Sequence, residues 1–248
     1  MIFYQGPSVL DGNPIVGILT GYNKKGSANG KTGRMLQTWI LRSDVHPAVA
    51  AKDGSDYSIC GDCKHRADAK TSRKRTCYVN VAYAPSAVYR AYKAGAYRTV
   101  EEWSLPNNTG SDNIRMGAYG DPASIPQSRW ALLGISSRHR TGYTHQWKLQ
   151  DAQWLKPYCM ASCDSVAEYI EAKSMGWNAF VVHNHTDHKT RELLKLHGVK
   201  PCPSSAEWKA EGKPVVPCST CLKCNGTRGS VMIAGHGASK NRIGLVTI

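Results

Sequence analysis

The sequence predicts an α/β fold, either a partial parallel (β/α) barrel or an open parallel sheet, with Cys-rich metal-binding loops. Three observations carry this. From Met35 onward, strand-like and helical segments alternate at spacings suited to βα units. Polar residues close several strands, where such folds keep their reactive groups. Most of the nine cysteines fall into two groups placed between those elements.

The elements follow in order. Met1–Gln5 and Ile15–Leu19 read as short strands separated by Pro/Gly/Asn turns. Asn23–Arg34 is a flexible basic loop; its Gly30-Lys31-Thr32 is no phosphate loop, because Lys25 stands where that motif needs glycine and a strand follows instead of a helix. Met35–Leu41 is that strand. Ser86–Ala94 is a helix with Ser86 as N-cap. Ile114–Tyr119 is a strand ending in Gly120-Asp121-Pro122, Gln127–Arg138 is helical, and Tyr143–Trp147 is strand-like. Leu149–Leu155 is a short helix and Tyr158–Cys163 a strand. Ser165 caps a helix over Val166–Met175 that Gly176 stops. Asn178–Val182 is a strand, Arg191–Leu196 a helical turn, Val199–Pro201 a last short strand, and Ser230–Ile248 two strands around Gly235-His236-Gly237. Three segments result: strands and basic loop in 1–34, the α/β partial barrel in 35–200, and a Cys-cluster extension in 201–248. Roughly five or six βα units are too few for a full eight-stranded barrel.

Composition narrows the function classes. Hydrophobic content of 41% supports a core, and a net charge of +14 favours polyanionic partners, nucleic acid among them. No apolar run approaches a membrane span, and no signal peptide is visible, so no membrane partner and a cytoplasmic location are expected. In a reducing compartment, C-x-x-C pairs in a chain with an odd cysteine count point to metal-bound thiolates rather than to a disulfide scaffold.

Cys60 and Cys63 form one such pair, and Cys77 returns fourteen residues after Cys63 within a basic loop from Lys64 to Arg75. Three thiolates with no local fourth leave a coordination position for water, substrate or cofactor. His65 would be the fourth ligand in a zinc alternative. Cys202, Cys218, Cys221 and Cys224 form C-x15-C-x2-C-x2-C, a spacing that holds a [4Fe–4S] cube because successive turns present thiolates to separate irons. Zinc is the rival there too. Cys159 and Cys163 share a strand face and read as core thiols or as completing ligands.

Asp121, His145 and Asp164 fall at or near strand ends and are the candidate catalytic residues, either orienting a substrate or acting as acid and base. Asp121 and Asp164 also suit an ordinary turn and an ordinary helix entry. His183, His185 and His188 look like a metal tract but read mainly as a polar loop.

In layout the chain resembles the radical S-adenosylmethionine barrel. In that superfamily three cysteines follow the first barrel strand, a glycine-rich segment closes the second, and a small polar segment closes the fourth. Cys60, Cys63 and Cys77 follow Met35–Leu41, Gly117-Ala-Tyr-Gly-Asp-Pro122 corresponds to the second feature, and Ser162-Cys-Asp-Ser165 to the third. The resemblance implies Gly117, Gly120 and Ser162 as cofactor-binding residues, S-adenosylmethionine as cofactor, and the Cys202–Cys224 set as an auxiliary cluster. The spacing C-x2-C-x13-C departs from the family's C-x3-C-x2-C. The chain also resembles small cysteine-rich proteins encoded by bacteriophages, which would place it in a bacterial host's cytoplasm.

The expected function is that of an iron–sulfur, radical-type enzyme with one or two clusters, acting on an anionic substrate that includes nucleic acid. Its alternatives are a zinc-stapled DNA- or RNA-binding protein, in which Lys70, Arg73 and Lys74 would bind phosphates, and a DNA base-modifying or glycosidic-bond enzyme. The last would use Asp121 and Asp164, with its metal purely structural.

Overall fold

The first apolar stretches pair with each other before any crossover is needed. β1 (Ile2–Pro7), β2 (Pro14–Thr20) and β3 (Leu36–Arg42) form an antiparallel meander. β2 is apolar nearly throughout, β3 carries Gln37, Thr38 and Arg42 among its apolar residues, and both are buried on both faces. This computed structural model describes residues 1–22, 30–68, 71–99, 113–136, 138–237 and 240–245. The expected basic loop over Asn23–Arg34 lies mostly outside them.

From β3 the sheet becomes parallel. β4 (Asn113–Tyr119), β5 (His139–Thr144), β6 (Met160–Cys163) and β7 (Ala179–His183) add one after another. The two-residue β8 (Lys200–Pro201) and β9 (Val231–Ala234) then complete nine strands in the order β1-β2-β3-β4-β5-β6-β7-β9-β8. β1 and β8 are its edges, so the sheet is open. It is a mixed α/β fold with a mostly parallel sheet, and all three segments marked out in the sequence contribute strands to it.

Among the described residues eight short helices connect the strands: α1 (Pro47–Asp53), α2 (Tyr57–Cys60), α3 (Ala84–Lys93), α4 (Gln127–Ala131), α5 (Val166–Ser174), α6 (His188–Leu196), α7 (Ala206–Ala210) and α8 (Cys218–Cys221). α1 and α3 pack on β3, and α5 on β6 and β7. Because strand side chains alternate, Ile114, Met116, Ala161, Cys163, Ala179, Val181 and Met232 enter the core on one face of the sheet. Arg115, Gly117, Tyr119, Thr141, Tyr143, Phe180, Val182 and Ile233 are left facing the other way, into a cavity. Three tryptophans, Trp130, Trp147 and Trp177, are fully buried. Each indole N–H finds an acceptor, on Pro122 O, Ser162 O and Gln153 Oε1 respectively.

Four boundaries differ from the sequence reading. Ser86 is not the cap of α3: Pro85 suits the first turn, so the helix starts at Ala84, and the Ser86 hydroxyl donates to Val81 O at 2.5 Å. The helix expected over Gln127–Arg138 stops as regular helix at Ala131, and Gly134 at φ +61° turns the chain away. The strand expected at Tyr143–Trp147 lies earlier, at His139–Thr144, because the His145 N–H leaves the ladder for the Asp121 carboxylate. After β9 the second expected tail strand is replaced by a 3₁₀ turn over Lys240–Leu245, whose Ile243 lies over the bare face of Gly235.

Candidate metal centres and the cavity between them

The Cys60–Cys63 turn is built by a buried ion pair. Arg66 donates through Nε to Asp56 Oδ1 at 2.7 Å, through Nη1 to Gly61 O at 3.0 Å and through Nη2 to Gly54 O at 2.7 Å. Asp56 is fully buried, and desolvation pushes its carboxyl above the ordinary range although Arg66 opposes this. Gly61 takes φ +53° between the cysteines, where a Cβ would meet the Gln146 amide at 2.5 Å; that amide donates to Cys60 O. Thr76 and Cys77 return to the turn through their N–H groups, both donating to His65 O. Cys60, Cys63 and Cys77 thus come together beyond the carboxyl ends of the parallel strands. Burial raises the Cys60 and Cys77 thiols, and the neighbouring thiols of the set push the same way.

The basic loop is not a free cationic patch. Besides the buried Arg66, Lys64 pairs with Glu168 at 2.6 Å, Arg73 donates to Arg66 O, and Arg75 donates to Val79 O beside Cys77. Lys74 is exposed, and Lys70 lies outside the described residues.

Asp121 and Asp164, paired in the sequence reading, have different surroundings. Asp121 is a clasp. Its Oδ1 accepts from Ala123 N, its Oδ2 accepts from His145 N at 2.8 Å, and its own N–H donates to Ile59 O at 2.6 Å. It joins the end of β4, the exit of β5 and the helix leading into Cys60. Gly117 and Gly120 give it room: both have positive φ, and a Cβ on Gly120 would lie 2.7 Å from Ile40 Cβ.

Asp164 belongs to a buried polar chain. His65 Nδ1 lies 2.8 Å from Thr76 Oγ1 and its Nε2 2.9 Å from Asp164 Oδ1. His145 Nε2 lies 3.4 Å from Asp164 Oδ2, too poorly aligned for a hydrogen bond, and 3.7 Å from Cys63 Sγ. Burial alone would raise Asp164, but its contacts with His145 and His65 hold it well below the carboxylate range. Burial alone would lower His145, yet Cys63 and Asp164 raise it well above the ordinary imidazole value. Among the described residues, His65, His145 and Asp164 form the one group of potential metal ligands whose donor atoms lie within 4.8 Å of one another.

The second cysteine set forms around the turn that follows α8. Leu222 adopts φ +51°, rare for a non-glycine residue, and reverses the chain between Cys221 and Cys224. Cys224 O accepts from Gly142 N, Cys202 N donates to Met232 O, and Cys218 N donates to Lys31 O. The set is therefore tied to β5, β9 and the loop before β3. Burial raises Cys202, Cys218 and Cys224, and charges within the set add to this for each of them.

Both sets open on one cavity of about 380 Å³ on the inner face of the sheet. Cys60, Cys63 and Cys77 line one end, Cys202 and Cys218 another, with Gly117, Gly120, His145 and Ser162 between. His145 and Ser162 also line a second cavity of about 200 Å³, next to Asp164 and Glu168. Cys159 and Cys163 lie on the opposite face as core thiols. His183 is buried against Glu207 at 3.1 Å, whereas His185 and His188 are exposed. All nine cysteines are free of disulfides.

Comparison with protein-family models, curated proteins and solved structures found no match. No helix among the described residues is long and apolar enough to cross a membrane.

Sequence reasoning did not find the Asp56–Arg66 pair, the His65–Asp164 contact or Arg115. Only Arg115 left a local signal, a charge at an alternating position inside an otherwise apolar strand.

Proposed function

We propose that the chain is an iron–sulfur enzyme, similar in plan to the radical S-adenosylmethionine barrels, acting on an anionic substrate in the cavity between two cysteine sets. The observation that carries this reading is that both sets open onto the same cavity at the active rim of a parallel sheet. Counting parallel strands from β3, the Cys60–Cys77 loop follows the first, Gly117–Pro122 closes the second and Ser162–Ser165 closes the fourth. That is the order of features on which the resemblance rests.

The donor sets fit iron–sulfur clusters. All seven thiols are free, soft ligands of the kind that iron–sulfur clusters take. The C-x2-C-x2-C run presents successive thiolates to separate irons. Cys60, Cys63 and Cys77 would hold one cluster with an iron left open for S-adenosylmethionine, and Cys202, Cys218, Cys221 and Cys224 a second. Such a three-thiolate cluster supplies electrons and an open coordination position when bound.

The remaining roles belong to this chain's own groups. Asp121 fixes the rim by clasping backbone. His145 presents its imidazole to the cavity beside Cys63, with the Asp164 carboxylate 3.4 Å behind it. Ser162, Gly117 and Gly120 shape the wall against which a cofactor would lie. The net charge of +14 supports an anionic substrate. An acid–base pair of Asp121 and Asp164 is less well supported, since both Asp121 oxygens are taken by backbone N–H groups.

The test is anaerobic purification with visible spectroscopy and metal analysis. A brown protein with about eight iron and matching sulfide per chain is expected for two cubes. A colourless protein containing zinc alone would sink the proposal.

A further inference from the structure

We infer that the end of the cavity beside the second cysteine set is an anion subsite, and that its ligand is a small, flat, ring-bearing carboxylate or phosphate rather than a polymer. This rests on the reading of the cavity as the substrate chamber.

Arg115 projects from β4 onto the inner face of the sheet and lines the cavity with Lys31 and His236. Its Nη2 donates to Tyr78 Oη at 2.7 Å, and no carboxylate of a described residue lies within ion-pair distance of it. A guanidinium facing a cavity without a carboxylate partner is suited to a bidentate anion. Lys31 Nζ lies 2.9 Å from His236 Nε2, which brings a second cation and an imidazole to the same end.

The neighbouring walls are aromatic. Tyr143 and Phe180, both half-buried, stand with ring centroids 4.5 Å apart, and Tyr78 lies 5.2 Å from His236. Flat apolar walls around a few convergent charges select a compact amphiphilic ligand. A polymer would instead need an extended groove lined with many cations. The rival role for Arg115 and Lys31 is to offset the charge of the nearby Cys202 and Cys218 thiolates, and the experiment separates the two.

The full chain, purified anaerobically, is titrated calorimetrically with quinoline-2-carboxylate and with guanosine 5′-monophosphate, each beside its neutral counterpart, quinoline-2-carboxamide and guanosine. One of the anions should bind at least about tenfold more tightly than its neutral partner, and which one does so distinguishes carboxylate from phosphate. Arg115→Gln should weaken that anion by about 10- to 100-fold, as expected for loss of a charged hydrogen bond, and leave the neutral partner unchanged. Arg115→Lys should recover part of the loss. If Arg115→Gln lowers expression or melting temperature, Lys31→Met probes the same end of the cavity and should also weaken the anion selectively. The inference is overturned if neither anion binds, if the neutral partners bind equally well, or if a folded Arg115→Gln chain binds as the wild type does. It is also overturned if the variant loses affinity only for a single-stranded oligonucleotide. Arg115-dependent anion binding by a protein without iron would reject the cluster proposal and leave the subsite standing.

Discussion

Replacing Arg66 with Met tests whether the first cysteine turn is built by a buried charge pair. Arg66 and Asp56 are 9% and 0% exposed, and three guanidinium nitrogens are committed to Asp56, Gly61 and Gly54. Removing the cation strands a carboxylate that already lacks a partner on Oδ2. Breaking a buried pair from one side costs about 3–5 kcal/mol. At roughly 2–4 °C per kcal/mol for a chain of this size, the midpoint should fall by roughly 6–20 °C. Because Gly61 O and Gly54 O lose their donors as well, the Cys60–Cys63 turn should loosen, and under the proposed function the iron content should fall. The assay is thermal unfolding by circular dichroism with metal analysis, run on Arg66→Met, Asp56→Asn and the double variant. The double variant should be distinctly more stable than the sum of the singles, since it leaves no charge stranded. Additive losses, or a loss below about 1 kcal/mol for Arg66→Met, would refute the pairing argument.

Other consequences can be checked more simply. Gly120→Ala places a Cβ at 2.7 Å from Ile40 Cβ on a residue with φ +83°, so a loss of about 2–4 kcal/mol is expected in urea denaturation. Cys60→Ser and Cys221→Ser, made separately, should each remove about half of the bound iron on anaerobic analysis if the sets hold separate clusters. Burial alone would raise Glu207, but the 3.1 Å contact with His183 and the hydrogen bond from Ala234 N keep it below its ordinary range. A depressed carboxyl stabilises the fold above its unfolded value of about 4.3, and that stability is lost as the pH falls. Glu207→Gln should therefore lower stability at neutral pH by about 1–3 kcal/mol and flatten the acid limb of the stability profile. An acid limb as steep as the wild type's would tell against that role.

The strands and their order of faces were legible because they depend on local pattern. β2, β3, β4, β6 and β7 are apolar runs between turn residues, and the Ser165 cap is a three-residue signal that needs no tertiary information. The short helices α1, α2, α7 and α8 were missed because four to seven residues cannot display a helical period. The cysteine sets were visible as spacing, but their convergence on one cavity was not, since Cys60 and Cys202 are brought together only by the whole sheet. The backbone contacts of Asp121 were hidden for a related reason. A Gly-Asp-Pro at a strand end looks the same in sequence whether or not its carboxylate accepts from Ala123 N and His145 N while its own N–H donates to Ile59 O.

The difference between Asp121 and Asp164 also separates scaffold from chemistry at this rim. A carboxylate that accepts one backbone N–H on each oxygen cannot turn away without moving strands, so Asp121 contributes rigidity and its loss should appear first in stability. Asp164 is held only by side chains, His65 at 2.9 Å and His145 at 3.4 Å, and those histidines lead outward to Thr76 and to Cys63 in turn. Either imidazole can turn against this carboxylate while the strands stay fixed. His145 stands between the two cavities with Asp164 behind it and Cys63 beside it, so it is the group best placed to couple what binds at the first cysteine set to what enters the cavity. Asp164→Asn should therefore leave the fold largely intact but change the protonation of His145, visible as an altered imidazole titration by NMR. If Asp121→Asn, and not Asp164→Asn, produced that change with the melting temperature unmoved, the division between clasp and relay would be wrong.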